Sequence, residues 1–173
     1  MHTLRSRAIS AALASTTAVI LVMGQPVNAA VAIPPAIAVP AGNSLFLVGH
    51  ARGYQVYGCQ NAAWTLLYPY AGLFDDAGLP VATHYAGPSW QAPDHSVAVG
   101  TRVAGAPSPN GSIQWLLLST TTSGPAGGVL LPTTFIQRLS TTGGVAPAGA
   151  CANGATAAVY YTADYYFYRA TTG

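Results

Sequence analysis

After residue 43 this chain never runs far without a glycine, proline, asparagine or aspartate cluster, and helix signals are almost absent. Short apolar or β-branched runs fill the intervals, which is the pattern of strands joined by turns. Residues 44–49, 54–59 and 63–68 read as three strands. Residues 81–85 and 97–103 read as a pair around a turn, and 113–119, 133–140 and 157–168 complete about eight. Short strands at such close spacing predict an all-β fold, a single small antiparallel β-sandwich or barrel.

Parity within the last run sorts its side chains, because alternate residues of a strand share a face. Val159, Tyr161, Ala163, Tyr165 and Phe167 fall on one side and make a plausible core face. Tyr160, Thr162, Asp164, Tyr166 and Tyr168 fall on the other. That tyrosine row has contact area with polar tips and suits a sugar or peptide. It equally suits a strand half covered by neighbouring structure.

The first residues have a separate task. Arg5 and Arg7 precede an apolar run over residues 8–24, Gln25-Pro26 breaks it, and small residues follow at Val27-Asn28-Ala29 and Ala30-Val31-Ala32. This layout predicts a secretory signal over residues 1–32, cut between Ala29 and Ala32, and therefore a secreted, extracellular protein. The run is short for a membrane anchor, and no later one is long enough to span a bilayer, so no transmembrane segment is expected after cleavage. Residues 33–43 hold closely spaced prolines and read as an extended lead-in rather than a folded element. The β-rich domain then covers residues 44–170.

Beyond the signal the ionic inventory is sparse. Arg52, Arg102, Arg138 and Arg169 face Asp75, Asp76, Asp94 and Asp164, with no lysine and no glutamate. Such a near-neutral domain has no basic field for phosphates, so nucleic acid is excluded as a partner. Cys59 and Cys151 are the only cysteines. In an exported chain they most simply pair as one disulfide.

Most of the chemistry-bearing side chains crowd into His84-Tyr85-Ala86-Gly87-Pro88-Ser89-Trp90-Gln91-Ala92-Pro93-Asp94-His95-Ser96. Structure alone accounts for much of this. Pro93 and Asp94 are turn formers, and Asp94 can accept from the Ser96 amide. A four-residue loop would set Trp90 opposite Val99 as a cross-strand pair. Gly87-Pro88 reads as a bulge or edge in the first strand. Read as a metal site, His84, Asp94, His95 and His50 have the ligand chemistry but none of the usual ligand spacings, so no metal is expected. There is no G-x-S-x-G elbow, no adjacent pair of carboxylates outside a turn, and no phosphate loop, so no cofactor is implied.

Taken together, several segments resemble one known family. They are Arg52-Gly53-Tyr54-Gln55-Val56-Tyr57-Gly58-Cys59, Trp64, His84 through Trp90 with Asp94 and Ser96, and Ile113-Gln114-Trp115-Leu116-Leu117. Ile136-Gln137-Arg138, Thr142-Gly143-Gly144 with Pro147 and Cys151, and Ala163-Asp164-Tyr165 with Phe167-Tyr168 continue the series. The set resembles exported bacterial and fungal proteins grouped as domain of unknown function 3455, over nearly the whole chain beyond the signal. The resemblance implies secretion, one small β-rich domain and no established activity. Some fungal relatives carry a malate dehydrogenase label, but this chain has no dinucleotide fingerprint. Where the family resembles Asp-Gly-Ser, this chain has Asp94-His95-Ser96. His95 therefore stands at a turn position that suits positive φ.

The expected function is non-catalytic binding of a glycan, wall component or protein at or outside the cell surface. The expected binding residues are His84, Tyr85, Trp90 and Asp94, with Gln55 and Arg138 as polar neighbours. The competing reading is a hydrolytic or metal-assisted enzyme with His84 as base or ligand and Asp94 as its orienter. A third is a purely structural surface protein.

Overall fold

A computed structural model describes residues 32–171, so all but the last residue of the expected signal lies outside the described residues. Eight strands follow one another: β1 Asn43–Gln60, β2 Ala63–Phe74, β3 Pro80–Tyr85, β4 Ser89–Gln91, β5 Val97–Ala106, β6 Trp115–Ser123, β7 Thr133–Gly143 and β8 Thr156–Ala170. Each pairs antiparallel with the next, and β8 returns to pair with β1. Tyr54 in β1 thus faces Tyr70 of β2 on one side and Tyr160 of β8 on the other. Both edges of β1 are used, so the sheet is a closed barrel and not a sandwich, and no open edge remains.

Three local features depart from the sequence reading. Residues 44–49 and 54–59 belong to one strand, and Gly53 does not break it. A Cβ on Gly53 would lie 2.1 Å from the Tyr70 carbonyl oxygen and 2.5 Å from Ala71 Cα. Glycine is needed there for close backbone approach, not for a turn. Next, Gly87-Pro88 is neither bulge nor edge but part of the turn that separates β3 from the short β4. The following loop is one residue shorter than expected, so Trp90 pairs with Ala98 and Ser89 takes Val99. His95 sits at φ 68°, the left-handed residue that closes a three-residue hairpin loop.

The lead-in also carries structure. Residues Pro35–Ile37 form a 3-10 turn that buries Ile37 completely on the outside of the barrel, with Ala106, Trp115, Leu117 and Leu139. Gln137 Nε2 donates to the Ile37 carbonyl at 2.6 Å, and the Tyr168 hydroxyl donates to Gln137 Oε1 at 2.8 Å. Half of the outer tyrosine row of β8 is therefore covered, and its other half is not.

Inside, small and large side chains complement each other. Gly49, Ala51, Ala71, Ala98 and Ala163 leave room for Trp90, Tyr165 and Phe167. The expected core parity of β8 holds for Tyr161, Ala163, Tyr165 and Phe167, all buried. At the base of the barrel, Leu130 from the β6–β7 connection is buried completely and joins this core. The opposite end carries the β1–β2 and β3–β4 turns and the β5–β6 and β7–β8 connections, and it forms the mouth. Cys59 and Cys151 are joined there, which ties the end of β1 to the β7–β8 connection. Among the described residues, no helix is long and apolar enough to cross a membrane.

Candidate functional site

The mouth end holds a cleft of about 310 Å³ lined by Gln55, His84, Arg102 and Arg138 among leucines, prolines and Tyr68. Strand alternation brings these groups together. In β1 every second residue from Gly49 to Tyr57 is buried, so Gln55 points inward one step below Tyr57. His84 is the inward residue of β3 next to its end. Leu116 and Leu118 supply the wall from β6. A register break between β1 and β2 leaves Leu67 unpaired between Leu66 and Tyr68, and both adjacent leucines line the cleft.

His84 is 2% exposed and donates from Nδ1 to the Ser89 carbonyl at 2.8 Å. Its ring stacks on Trp90, with centroids 4.4 Å apart and planes 6° from parallel. Burial pushes its pKa down to about 3; the Ser89 contact opposes this and the Arg138 charge adds to it. The imidazole is therefore neutral at ordinary pH, with Nε2 left as an acceptor. Gln55 is 2% exposed, and its Oε1 is buried with no hydrogen-bond partner. An orphaned amide oxygen of this kind is costly in a folded protein.

Gln114 holds both arginines. Arg138 donates to the Gln114 carbonyl from Nε at 3.0 Å and from Nη2 at 2.8 Å, and Arg102 Nη2 donates to Gln114 Oε1 at 3.2 Å. A second cleft, about 410 Å³, adjoins the first and shares Arg102, Leu116 and Arg138, with Tyr57 and Ile113 on its far side. The Tyr57 hydroxyl donates to the Gly144 carbonyl at 2.6 Å.

Of the residues singled out from the sequence, His84, Gln55 and Arg138 meet in this cleft. Trp90 lies beneath it. At 1% exposure, with His84 on one face and Tyr165 and Phe167 against it, it has no free face for a ligand ring. Tyr85 follows His84 in β3 and so faces the outside of the barrel. Asp94 is at the base. Its Oδ1 accepts from the Ser96 amide at 2.9 Å and the Ser96 hydroxyl at 2.6 Å, and its Oδ2 accepts from the Val129 amide at 2.7 Å. These bonds hold its carboxyl below the ordinary range, the Ser96 hydroxyl first. The barrel thus separates Asp94 from His84, and the pairing of base and orienter read from the sequence is not formed.

His50 meets partners the sequence did not suggest. Its Nδ1 donates to Asp164 Oδ1 at 2.7 Å and its Nε2 to Asp76 Oδ1 at 2.8 Å, on the outer face. His50 and Asp164 are register partners across the β1–β8 closure, 114 residues apart in the chain. No spacing rule links residues that far apart. Arg102 was likewise unmarked, although its inward parity in β5 was available. Among the described residues, no group of three His, Cys, Asp or Glu converges as metal ligands would.

The profile of DUF3455, described as a protein of unknown function, matches residues 40–169. The chain belongs to the DUF3455 family. The match takes in all eight strands of the barrel but for Ala170 at the end of β8, and it leaves out the N-terminal segment. No curated protein and no solved structure matches this DUF3455 chain.

Proposed function

We propose that this protein is a non-catalytic binding module, exported from the cell, that takes a small ligand through the open mouth of its barrel. Export rests on the N-terminal sequence pattern and is consistent with the Cys59–Cys151 bridge. Binding rests mainly on one observation: Gln55 carries a buried, unpartnered oxygen on the wall of a cleft that also presents His84 and two arginines. Eight-stranded barrels have interiors about wide enough for one small ligand, and a largely apolar cleft with a few converging polar groups is the usual form of such a site.

The test is a screen of small-molecule fractions from the protein's own culture medium, read by amide shifts at Gln55, His84 and Arg138. Leu116→Trp, which fills the cleft, should abolish those shifts while the barrel stays folded. Shifts that survive the filled cleft, or none with any fraction, would remove this reading.

A glycan reading has its own support. Tyr70, Tyr54 and Tyr160 are register partners across β2, β1 and β8, and all three are exposed on the outer face. The Tyr54 and Tyr160 rings lie 5.7 Å apart, edge to face. Such a row can stack sugar rings. Retention on a polysaccharide column that Tyr54→Ala/Tyr160→Ala abolishes and Leu116→Trp leaves intact would favour the outer row over the mouth.

A further inference from the structure

We infer that the mouth ligand is an organic anion, with a carboxylate or phosphate head held between Arg102 and Arg138 and an apolar body against the leucines. The inference rests on the mouth being a ligand site, and it adds the charge of what binds there.

The four arginines of the described residues divide into two kinds. Arg52 lies over the Phe74 ring at 6.0 Å and Arg169 over the Phe46 ring at 5.7 Å, each satisfied on an aromatic face. None of the four has a carboxylate partner among the described residues, and Arg102 and Arg138 are the two that line the cleft, with no aromatic face against them. The acidic residues are elsewhere. Asp94 latches the base, and Asp76 and Asp164 hold His50 on the outer face. Asp75 caps the β2–β3 turn through the Ala77 and Leu79 amides. A domain with few charges has therefore placed two cations, and no anion, at one opening.

Both guanidinium groups are positioned without being used up. Gln114 takes two donors of Arg138 and one of Arg102, and each guanidinium has five. The remaining donors suit the paired oxygens of a carboxylate or phosphate. Leu66, Leu67, Pro69 and Leu116 line the same cleft and offer apolar contact to the body of such a ligand. Arg138 also lies close enough to Tyr57, Tyr161 and His84 for its charge to oppose the effect of burial on the two hydroxyls and add to it on the imidazole.

The experiment uses the disulfide-bonded domain and four probes that share one ring: phenylacetate, phenyl phosphate, neutral phenylacetamide and cationic phenethylamine. Mouth amide shifts give the affinities. At least one anion should bind about tenfold tighter than phenylacetamide, and phenethylamine should bind weakest. Added salt should weaken anion binding, and Arg102→Gln should reduce the preference severalfold. Arg102→Lys/Arg138→Lys, which keeps the charge and checks folding, should retain part of it. Which of the two anions binds tighter identifies the head group. Equal binding of phenylacetamide and both anions overturns the inference and leaves the mouth reading standing. Failure of all four probes to shift mouth residues overturns both.

Discussion

His84 and Trp90 are directly cross-strand in β3 and β4, and their rings lie parallel with centroids 4.4 Å apart inside the barrel. Protonating that imidazole would place a charge in the core with only the Ser89 carbonyl to receive it. Its folded pKa, about 3, lies below the ordinary histidine value, so the unfolded chain binds the proton first. The stability this gives is complete above about pH 6.5 and is lost as pH falls toward 3, at up to about 1.4 kcal/mol per pH unit. Urea unfolding between pH 6.5 and 5 should show this slope in the wild type. His84→Phe should remove it.

On the outer face, His50 should behave in the opposite sense. The Asp164 bond first, and the Asp76 bond second, raise its pKa. Its contribution is then complete below the ordinary histidine value and is lost as pH rises through the raised one. His50→Gln should destabilise the protein at pH 5 to 6 and leave it nearly unchanged in alkali, and salt should shrink the difference because the site is partly exposed. The two histidines shape opposite limbs of the pH profile, so His84→Phe should flatten the acid side and His50→Gln the alkaline side, each leaving the other limb in place.

Gly53→Ala tests the tight closure of β1 on β2. The new methyl would meet the backbone of Tyr70 and Ala71, which cannot swing aside as a side chain would. A loss of about 3 kcal/mol or more is expected in chemical denaturation. A stable variant would show that the strands are not packed this closely.

Asp94→Ala should loosen the base and leave the mouth alone. The carboxylate holds the Val129 amide, and Ser96 Oγ accepts from the Leu130 amide at 3.1 Å, which keeps Leu130 in the core. Hydrogen exchange at Val129 and Leu130 should accelerate, while the amide shifts of Gln55 and His84 stay put. Movement at the mouth would mean that Asp94 acts farther than its bonds reach.

Cys59→Ser/Cys151→Ser should act at the other end. The bridge closes a separation of 92 residues, and chain entropy sets its contribution at about 4 to 5 kcal/mol at most. The Cys59 amide donates to the Ala155 carbonyl at 2.8 Å, and the Gly154 amide donates to the Cys59 carbonyl at 3.1 Å. Removing the sulfurs should therefore cost stability and amide protection in residues 151–155 before it affects β3 to β6.

Side-chain alternation and turn chemistry determined the all-β class, the inward face of β8 and the Asp94–Ser96 turn, the family's glycine at the same turn position pointed to the positive φ of His95, and the presence of just two cysteines gave the bridge. Each of these depends on residues close in the chain, or on there being no second candidate. Only the tertiary structure decided that the sheet closes, that Gly53 continues a strand, and that His84 shares a cleft with Gln55, Arg102 and Arg138 while Asp94 lies at the opposite end. Register across β1 and β8 joins residues more than a hundred positions apart, and a one-residue slip exchanges inside for outside. Local pattern carries the parity of each strand but not which strands meet, so the composition of the mouth could not be read before the ring closed.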